Sequence, residues 1–165
     1  MVAWRALGAA VLMMLVAAPT TGPGQPARLR PVVVAGQAAP GGGSFEHFSV
    51  ESQPVVAAVN GKGQVAFFAN LLRAPASEGI FLAAANGMVR KVAVEGDRAP
   101  TGGALSGFGR HPVPAINEAG TVAFAAAVSG GATVEGIFTV SPGRLRSVAV
   151  AGDPAHFTIA SISEP

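Results

Sequence analysis

The feature that most constrains the fold is an eight-residue pattern that occurs twice. Residues 60–67 read Asn-Gly-Lys-Gly-Gln-Val-Ala-Phe and residues 117–124 read Asn-Glu-Ala-Gly-Thr-Val-Ala-Phe, 57 residues apart (117 − 60). Asn followed three residues later by Gly is typical of a type I turn with a bulge, in which Asn bonds to the local backbone and Gly accepts a positive φ. Each copy therefore predicts a hairpin that leads into an apolar strand, and the spacing indicates an internal repeat.

Other signals recur in the same order around this pattern. A strand-like segment that ends in Gly-Asp, or Gly-Gln in the first copy, occupies residues 28–37, 88–97 and 144–153. We call it the closing strand. The remaining signals are Gly-rich loops at 39–44 and 99–103, short apolar strands at 54–59 and 113–116, Val-Ala-Phe strands at 64–71 and 121–128, and strands that begin with Gly79 and Gly136. The hairpin before each later closing strand is Asn86-Gly87, which favours a type I′ turn, or Pro142-Gly143, which favours type II.

These signals predict an all-β fold of repeated four-stranded antiparallel meanders. Gly or Pro interrupts the apolar runs of the mature chain before they reach helix length, so we expect no long helix there. The predicted organisation is a signal peptide and linker at 1–27 and a β-repeat domain at 28–165. That domain divides into the closing strand 28–37, repeat one 38–97, repeat two 98–153 and the start of a third repeat at 154–165.

The Val-Ala-Phe strands are apolar on both faces. Val122, Phe124 and Ala126 point to one side of the predicted strand, and alanines point to the other. A strand that is apolar on both sides indicates a sheet packed between two others, which favours β-propeller-like blades. Propellers typically have 4 to 8 blades, so two full units predict a partial array.

The N-terminus has the layout of a secretory signal peptide. Arg5 precedes an apolar run from Ala6 to Ala18, and a Pro/Gly-rich stretch follows. The run has 13 residues (18 − 6 + 1), fewer than the roughly 20 that span a bilayer as a helix. We therefore expect export to the periplasm, the cell surface or the medium, without a transmembrane anchor after processing. The chain contains no cysteine, which excludes both a disulfide framework and a lipidated thiol.

Composition and motifs predict no catalytic, cofactor-binding or metal-binding residue. The formal net charge is +2, and the basic residues are scattered without interleaved aromatics, which argues against nucleic-acid binding. The three histidines, at positions 47, 111 and 156, lie in loops without metal-ligand spacing. Asp97 and Asp153 end closing strands, where turn formation is favoured over calcium binding because calcium requires 6 to 8 oxygens. The phenylalanines at repeat positions are better explained by core and inter-blade packing, so sugar stacking would have to use Phe45 or Phe68.

The chain resembles a bacterial family of exported proteins that carry tandem NxxGxVAF repeats and differ in their C-terminal surface anchor. The resemblance rests on the two turns, the Val-Ala-Phe and Gly-Ile-Phe strands and the Gly-Asp pair, and it spans residues 28–165. It implies an exported, propeller-like repeat protein with no established activity. Here two full repeats are present, Gln37 replaces the first Asp, and no anchor is recognised.

Two functions from different classes remain open. The first is an exported or cell-surface β-repeat module with a structural or interaction role and no catalytic activity, whose partner is unknown. The alternative is a fragment of a secreted propeller enzyme, such as a hydrolase. The apolar outer faces of the blades also predict self-association between units.

Overall fold

The computed structural model describes residues 30–142 and 144–152, and this part of the chain is all-β. It contains no helix, and therefore none long and apolar enough to cross a bilayer. The predicted signal peptide, Asp153 and His156 lie outside the described residues. The strands are β1 Ser44–Phe45, β2 Ser49–Val50, β3 Gln53–Pro54, β4 Ala58–Val59, β5 Val65–Leu72, β6 Glu78–Ala83, β7 Val89–Val94, β8 Ala104–Gly107, β9 Ala115–Ile116, β10 Val122–Ser129, β11 Glu135–Ser141 and β12 Arg144–Val150.

Ten of these strands form two sheets with the same plan. In the first sheet, β5, β6 and β7 are consecutive antiparallel neighbours, and the short strands β1 and β4 share the remaining edge of β5. In the second sheet β10, β11 and β12 repeat this order, with β8 and β9 on the edge of β10. The predicted meander is therefore present twice, with a first strand that is divided into two short pieces.

The turn predicted from the Asn-x-x-Gly pattern forms in both copies. The Gly63 amide donates to the Asn60 carbonyl at 3.0 Å, and Gly63 has a φ of 70°. The Asn60 Oδ1 accepts from the Gln64 amide at 3.0 Å. In the second copy Asn117 Oδ1 accepts from the Thr121 amide at the same distance. The asparagine side chain therefore caps the turn whose last residue requires the left-handed conformation that glycine adopts without strain.

The two sheets pack face to face. Each sheet has one face with large side chains, which we call the bulky face. In the first sheet this face carries Val65, Phe67, Ala69, Leu71 and Phe81. In the second sheet it carries Val122, Phe124, Ala126, Val128 and Phe138. The opposite face, which we call the receiving face, carries Ala66, Phe68, Ile80 and Leu82 in the first sheet. The bulky face of the second sheet covers this receiving face, and together they form the larger of two apolar cores.

The first sheet is buried on both faces, as its two-sided apolar pattern predicts. Its bulky face forms a second core in which Phe45 packs edge-on against Phe67 and Phe81, with ring centroids 5.8 and 5.0 Å apart. Val33, from the segment before β1, packs against the same core. Phenylalanine at matching strand positions thus serves packing, which agrees with the sequence prediction.

The first closing strand does not form in the described residues. Residues 30–37 contain no strand, whereas β7 and β12 form at the two later copies. Those two strands each pair with the preceding strand of their own sheet, β6 or β11. No such strand precedes residues 30–37 in the part of the chain that the structure describes, so an extended segment there lacks a ladder of hydrogen bonds.

The hairpin between β6 and β7 uses a different turn from the predicted type I′ turn at Asn86-Gly87. The Gly87 amide donates to the Ala84 carbonyl at 2.9 Å, so Ala85 and Asn86 are the central residues. Asn86 does not have the positive φ that type I′ requires, whereas Gly87 has a φ of 88°. The Asn-Gly pair here closes a longer hairpin with a bulge. The corresponding Pro142-Gly143 turn includes Gly143, which is not described.

One hairpin in the first unit has no counterpart among the described residues of the second. Strands β2 and β3 pair across a turn at Glu51 and Ser52, whose φ values are 47° and 65°. The segment from Phe45 to Ala58 spans 13 positions (58 − 45), whereas that from Leu105 to Ala115 spans 10 (115 − 105). The three additional residues account for the extra hairpin.

Candidate interaction face

The interface between the two sheets joins residues that are one repeat apart. Asn60 Nδ2 donates to the Asn117 carbonyl at 3.0 Å, and the Gly61 amide donates to Glu118 Oε1 at 2.8 Å, both with a separation of 57 residues. Equivalent turns of the two units therefore lie directly on each other. This is the contact pattern of a linear stack, in which each unit bonds to the same position of its neighbour.

Two further side chains of the first sheet bond across the interface. Glu78 Oε1 accepts from the Phe108 amide at 2.8 Å, and Arg90 Nη2 donates to the Gly120 carbonyl at 3.4 Å. Neither role was predicted from the sequence. A signal for both existed, because Glu135 follows Glu78 by 57 residues (135 − 78) and Arg146 follows Arg90 by 56 (146 − 90).

The second sheet has its own receiving face on the side away from the first sheet. It carries Ala123, Ala125, Ile137 and Thr139, which occupy the strand positions of Ala66, Phe68, Ile80 and Leu82. Ile80 is 0% exposed under the second sheet, whereas Ile137 is 47% exposed. Likewise, Val92 is 8% exposed and its counterpart Val148 is 63% exposed. The same structural positions are thus covered in one sheet and open in the next.

An open groove of about 520 Å³ lies at one end of this uncovered face. Its floor includes Ala125, Ala127 and Ile137, and Glu135 supplies a carboxylate at its edge. The counterpart of Ala125 in the first sheet is Phe68. Because alanine is much smaller than phenylalanine, the second sheet has unfilled space at this position. Glu135 is the one polar side chain among the residues that line the groove, and the remaining side chains are apolar, which favours a mainly apolar occupant.

The polar candidates from the sequence do not converge on this groove. His47 is exposed near the β2–β3 hairpin, where its Nδ1 lies 2.9 Å from Asn70 Nδ2. His111 is exposed in the loop before β9. In the described part of the chain, no three His, Asp, Glu or Cys residues come close enough together to hold a metal ion.

Asp97 has the turn role that the sequence favoured. Its Oδ2 accepts from the Val94 amide at 3.0 Å, and its Oδ1 pairs with Lys91 Nζ at 2.6 Å. A smaller groove of about 330 Å³ lies beside these residues and the first Gly-rich loop. Its other carboxylate, Glu95, accepts from the Ser77 amide at 3.2 Å. The charged groups of this groove are therefore used in holding turns.

The aromatic residues considered for sugar stacking are not accessible. Phe45 and Phe68 are each 1% exposed, one in the core of the first sheet's bulky face and the other between the sheets. Stacking on a sugar requires an open aromatic face, which a ring in a close-packed core does not offer. Neither of the two rings that sugar stacking would have to use is therefore open to a ligand in the described structure.

Comparison with known proteins identifies a family and no named relative. A family of unknown function, DUF7453, matches residues 23–98 and again residues 59–164. Two overlapping matches in one chain agree with the internal repeat. Neither the curated proteins nor the solved structures contain a match to this chain.

Proposed function

Because the chain belongs to the DUF7453 family of unknown function, we propose its role from the geometry of its own sheets. We propose an exported or cell-surface β-repeat module with a structural or interaction role, which acts by stacking sheets face to face. The observation that carries this proposal is the uncovered receiving face of the second sheet. The receiving face of the first sheet, with Ala66, Phe68, Ile80 and Leu82, is buried under the second sheet.

The energetic argument concerns apolar area. Complete burial of an isoleucine or valine side chain stabilises a structure by about 1.5–3 kcal/mol relative to leaving it exposed. Ile137 is 47% exposed and Val148 is 63% exposed, although each occupies a position that is buried in the first unit. Glu135 and Arg146 add the polar groups that bond across the stack in the first sheet. A further layer on this face therefore gains both apolar burial and matched hydrogen bonds.

Export and the propeller-like architecture are parts of the same proposal. The support for export is the sequence of residues 1–27, with Arg5 ahead of a 13-residue apolar run (18 − 6 + 1). The support for the NxxGxVAF type is that both Asn-x-x-Gly turns lie one on the other. In a β-propeller, neighbouring blades also pack face to face, around a central channel. The further blades of such an array would come from additional repeats or from self-association.

The interaction role is tested by placing a charge on the receiving face of the second sheet. We expect Ile137→Lys to abolish any self-association of the full chain and to lower its unfolding midpoint, because a lysine cannot be buried there without a partner. Met88→Lys is the matched control, since Met88 is exposed at the β6–β7 hairpin. Sedimentation velocity and urea unfolding measure both effects. If Ile137→Lys and Met88→Lys are indistinguishable from the unmodified chain in both, the proposed interaction role is wrong.

Export is tested separately by fractionation of expressing bacteria. We expect the full chain to leave the cytoplasm with its N-terminus removed, and a chain lacking residues 1–27 to stay inside. Mass spectrometry of the recovered protein gives the first residue of the mature form. Recovery of the uncleaved chain from the cytoplasm would contradict export while leaving the interaction role intact.

A further inference from the structure

The receiving face of the second sheet carries opposite charges at its two ends. Glu135, Ile137 and Thr139 alternate along β11 and therefore point to this face. Arg146 of β12 lies directly opposite Thr139, and directly opposite residues of an antiparallel pair share a face. Glu135 and Thr139 are four positions apart (139 − 135), or about 13 Å along a strand. The face thus has an acidic end, an apolar middle and a basic end.

These charged side chains have no partner within the described part of the chain. In the first sheet, the equivalent Glu78 and Arg90 bond across the interface to backbone groups of the following unit. The side chains of Glu135 and Arg146 are exposed, and neither forms a hydrogen bond or an ion pair with another described residue. Arg144, at the start of β12, adds a second exposed guanidinium at the basic end.

The place that corresponds to the groove is filled on the first sheet. There Leu105 and Phe108 are buried against the receiving face, and Phe108 packs against Phe68 with ring centroids 6.4 Å apart. Both follow the second closing strand in a hairpin, in which the Gly96 amide donates to the Leu105 carbonyl. An apolar group that bonds to the carboxylate of Glu78 therefore occupies this place.

The groove at the acidic end of the second sheet suits an arginine side chain. Its walls are apolar, with Ile137 on the floor, and Glu135 is the one charged residue that lines it. An arginine carries an apolar stem beneath a planar cation, and that cation pairs with a carboxylate through two parallel hydrogen bonds. The basic end of the same face supplies such a side chain in Arg146.

We propose that two copies of the chain associate through this face as a symmetric dimer, with β11 of one copy antiparallel to β11 of the other. Arg146 of each copy enters the groove of the other copy and pairs with Glu135. A twofold axis forms this contact twice, because the same patch serves both copies. The inference rests on the proposed interaction role and names the layer that covers the receiving face.

The charges decide between this arrangement and the alternatives. A parallel arrangement of the same two faces places Glu135 on Glu135 and sets Arg146 against Ala123, so a cation is buried without a partner. Head-to-tail stacking requires the bulky face of the first sheet, where Phe67 and Phe81 are already buried. The antiparallel dimer instead brings opposite charges together at both ends of the interface.

The size of the face sets the expected affinity. Strands β10, β11 and β12 have seven or eight residues each, so the face measures roughly 23 Å along the strands and 14 Å across them. This area is smaller than the roughly 800 Å² per partner of a standard protein interface. We therefore expect a weak dimer whose population depends on concentration.

Charge reversal of the two paired residues tests the proposal. Glu135→Arg and Arg146→Glu should each raise the Kd of the dimer about tenfold or more, because each places like charges together at both contacts. Mixed in equal amounts, the two variants should form a mixed dimer with a Kd close to that of the unmodified chain, since both contacts again join opposite charges. Glu51→Arg, in the exposed β2–β3 turn, is the matched control and should leave the dimer unchanged. Sedimentation of the full chain from about 10 μM to 1 mM covers the range of a weak complex, and urea unfolding checks that each variant folds.

Three results would overturn the inference. An unmodified chain that stays monomeric over this range would show that the face does not bind a second copy. A dimer that tolerates both charge reversals would use another surface. Two disrupted variants that do not recover on mixing would exclude the antiparallel arrangement.

These outcomes are separable from failure of the proposed interaction role. If Ile137→Lys still lowers the urea unfolding midpoint relative to Met88→Lys, that role stands with a different occupant of the receiving face. If Ile137→Lys also matches the unmodified chain in sedimentation and unfolding, both proposals are wrong.

Discussion

The Gly61 amide and the Glu118 carboxylate are bonded at 2.8 Å across two sheets, and they belong to equivalent turns. The Gly61 counterpart in the second turn is Glu118 itself, so one position acts as donor in one unit and as acceptor in the other. Position 61 is glycine and offers only its amide, whereas position 118 also carries the carboxylate that accepts, so the two units supply different halves of one contact. This relationship is the basis for several tests of the stack.

Removal of the Glu118 carboxylate should weaken the stack by a small, defined amount. We expect Glu118→Ala to lower the free energy of unfolding by about 0.5–1.5 kcal/mol, the usual net value of an intramolecular hydrogen bond. Lys62→Ala, in the facing turn, is the control because no hydrogen bond of its side chain is described. Urea unfolding at equilibrium measures both. A loss of the same size in both variants would show that the contribution does not come from the Gly61–Glu118 bond.

The two turn asparagines should differ in their importance. Asn60 is buried, and its Nδ2 donates to Gln64 Oε1 at 2.8 Å and to the Asn117 carbonyl at 3.0 Å. Asn117 is exposed and bonds within its own turn. We therefore expect Asn60→Ala to cost about 1–3 kcal/mol or more, because it leaves buried polar groups without partners. Asn117→Ala should cost less. Equal unfolding midpoints for the two variants would contradict the difference in burial.

The inter-sheet core should be sensitive to a single truncation. Ile80 is fully buried between the sheets, so Ile80→Ala should lower the free energy of unfolding by about 2–5 kcal/mol. Val56→Ala removes a similar apolar group from an exposed loop position and should change stability by less than about 0.5 kcal/mol. Thermal and urea unfolding compare the two. A cost below about 1 kcal/mol for Ile80→Ala would show that the sheets are not packed as described.

Much of this core was predictable because strands have a strict period of two. The alternation around Phe67 and Phe124 fixed which side chains share a face, and the Asn-x-x-Gly spacing fixed both hairpins. Residues 30–37 were not predictable in the same way. Their sequence favours a strand, but strand formation depends on a partner elsewhere in the chain.

The candidate face was predictable only in part. A strand with two apolar faces indicates that both faces are covered by other layers, and the sequence placed Ala123, Ala125 and Ala127 on one of these faces. It does not say which face of which unit stays open, because that depends on the order in which the sheets stack. The polar partners Glu78 and Arg90 were missed for another reason. Both recur one repeat later, at Glu135 and Arg146, but this recurrence does not say which groups their side chains contact.

The left-handed glycine of the first turn gives a test that is independent of packing. Gly63 has a φ of 70°, and a Cβ added there would lie 3.6 Å from the Ala85 Cβ, an ordinary contact. Gly63→Ala should therefore cost about 1–2 kcal/mol through backbone conformation alone. Gly63→Asn should cost less, since asparagine enters this region more readily. The order of the two unfolding midpoints is the measurement, and a more stable alanine variant would contradict the turn assignment.

Two substitutions of Asp97, at the end of the second closing strand, distinguish the contribution of its turn hydrogen bond from that of its ion pair with Lys91. Asp97→Asn keeps an oxygen for the Val94 amide but loses the pair with Lys91, which is partly exposed. We expect a loss of about 0–1 kcal/mol for this variant. Asp97→Ala also removes the turn acceptor and should cost about 1 kcal/mol more. If added calcium raises the melting temperature of the unmodified chain but not of Asp97→Asn, a metal role would replace the turn role.

The hairpin that carries Gly96 and Leu105 has a consequence for how the molecule divides. The Gly96 amide donates to the Leu105 carbonyl at 2.8 Å and the Leu105 amide donates to the Asp97 carbonyl at 2.9 Å, so the hairpin crosses the end of the first sequence repeat at residue 97. Leu105 lies in β8, on the edge of the second sheet, and Phe108 follows that strand; both are buried in the core that the two sheets share. The period of the sequence and the period of folding are therefore out of phase. A chain cut after residue 97 would remove Leu105 and Phe108 from the first sheet, and it would remove from the second half the hydrogen bonds that Leu105 makes to Gly96 and Asp97. Duplication or loss of whole repeats would be tolerated best when the breakpoints fall within a sheet, so that each junction rebuilds this overlap.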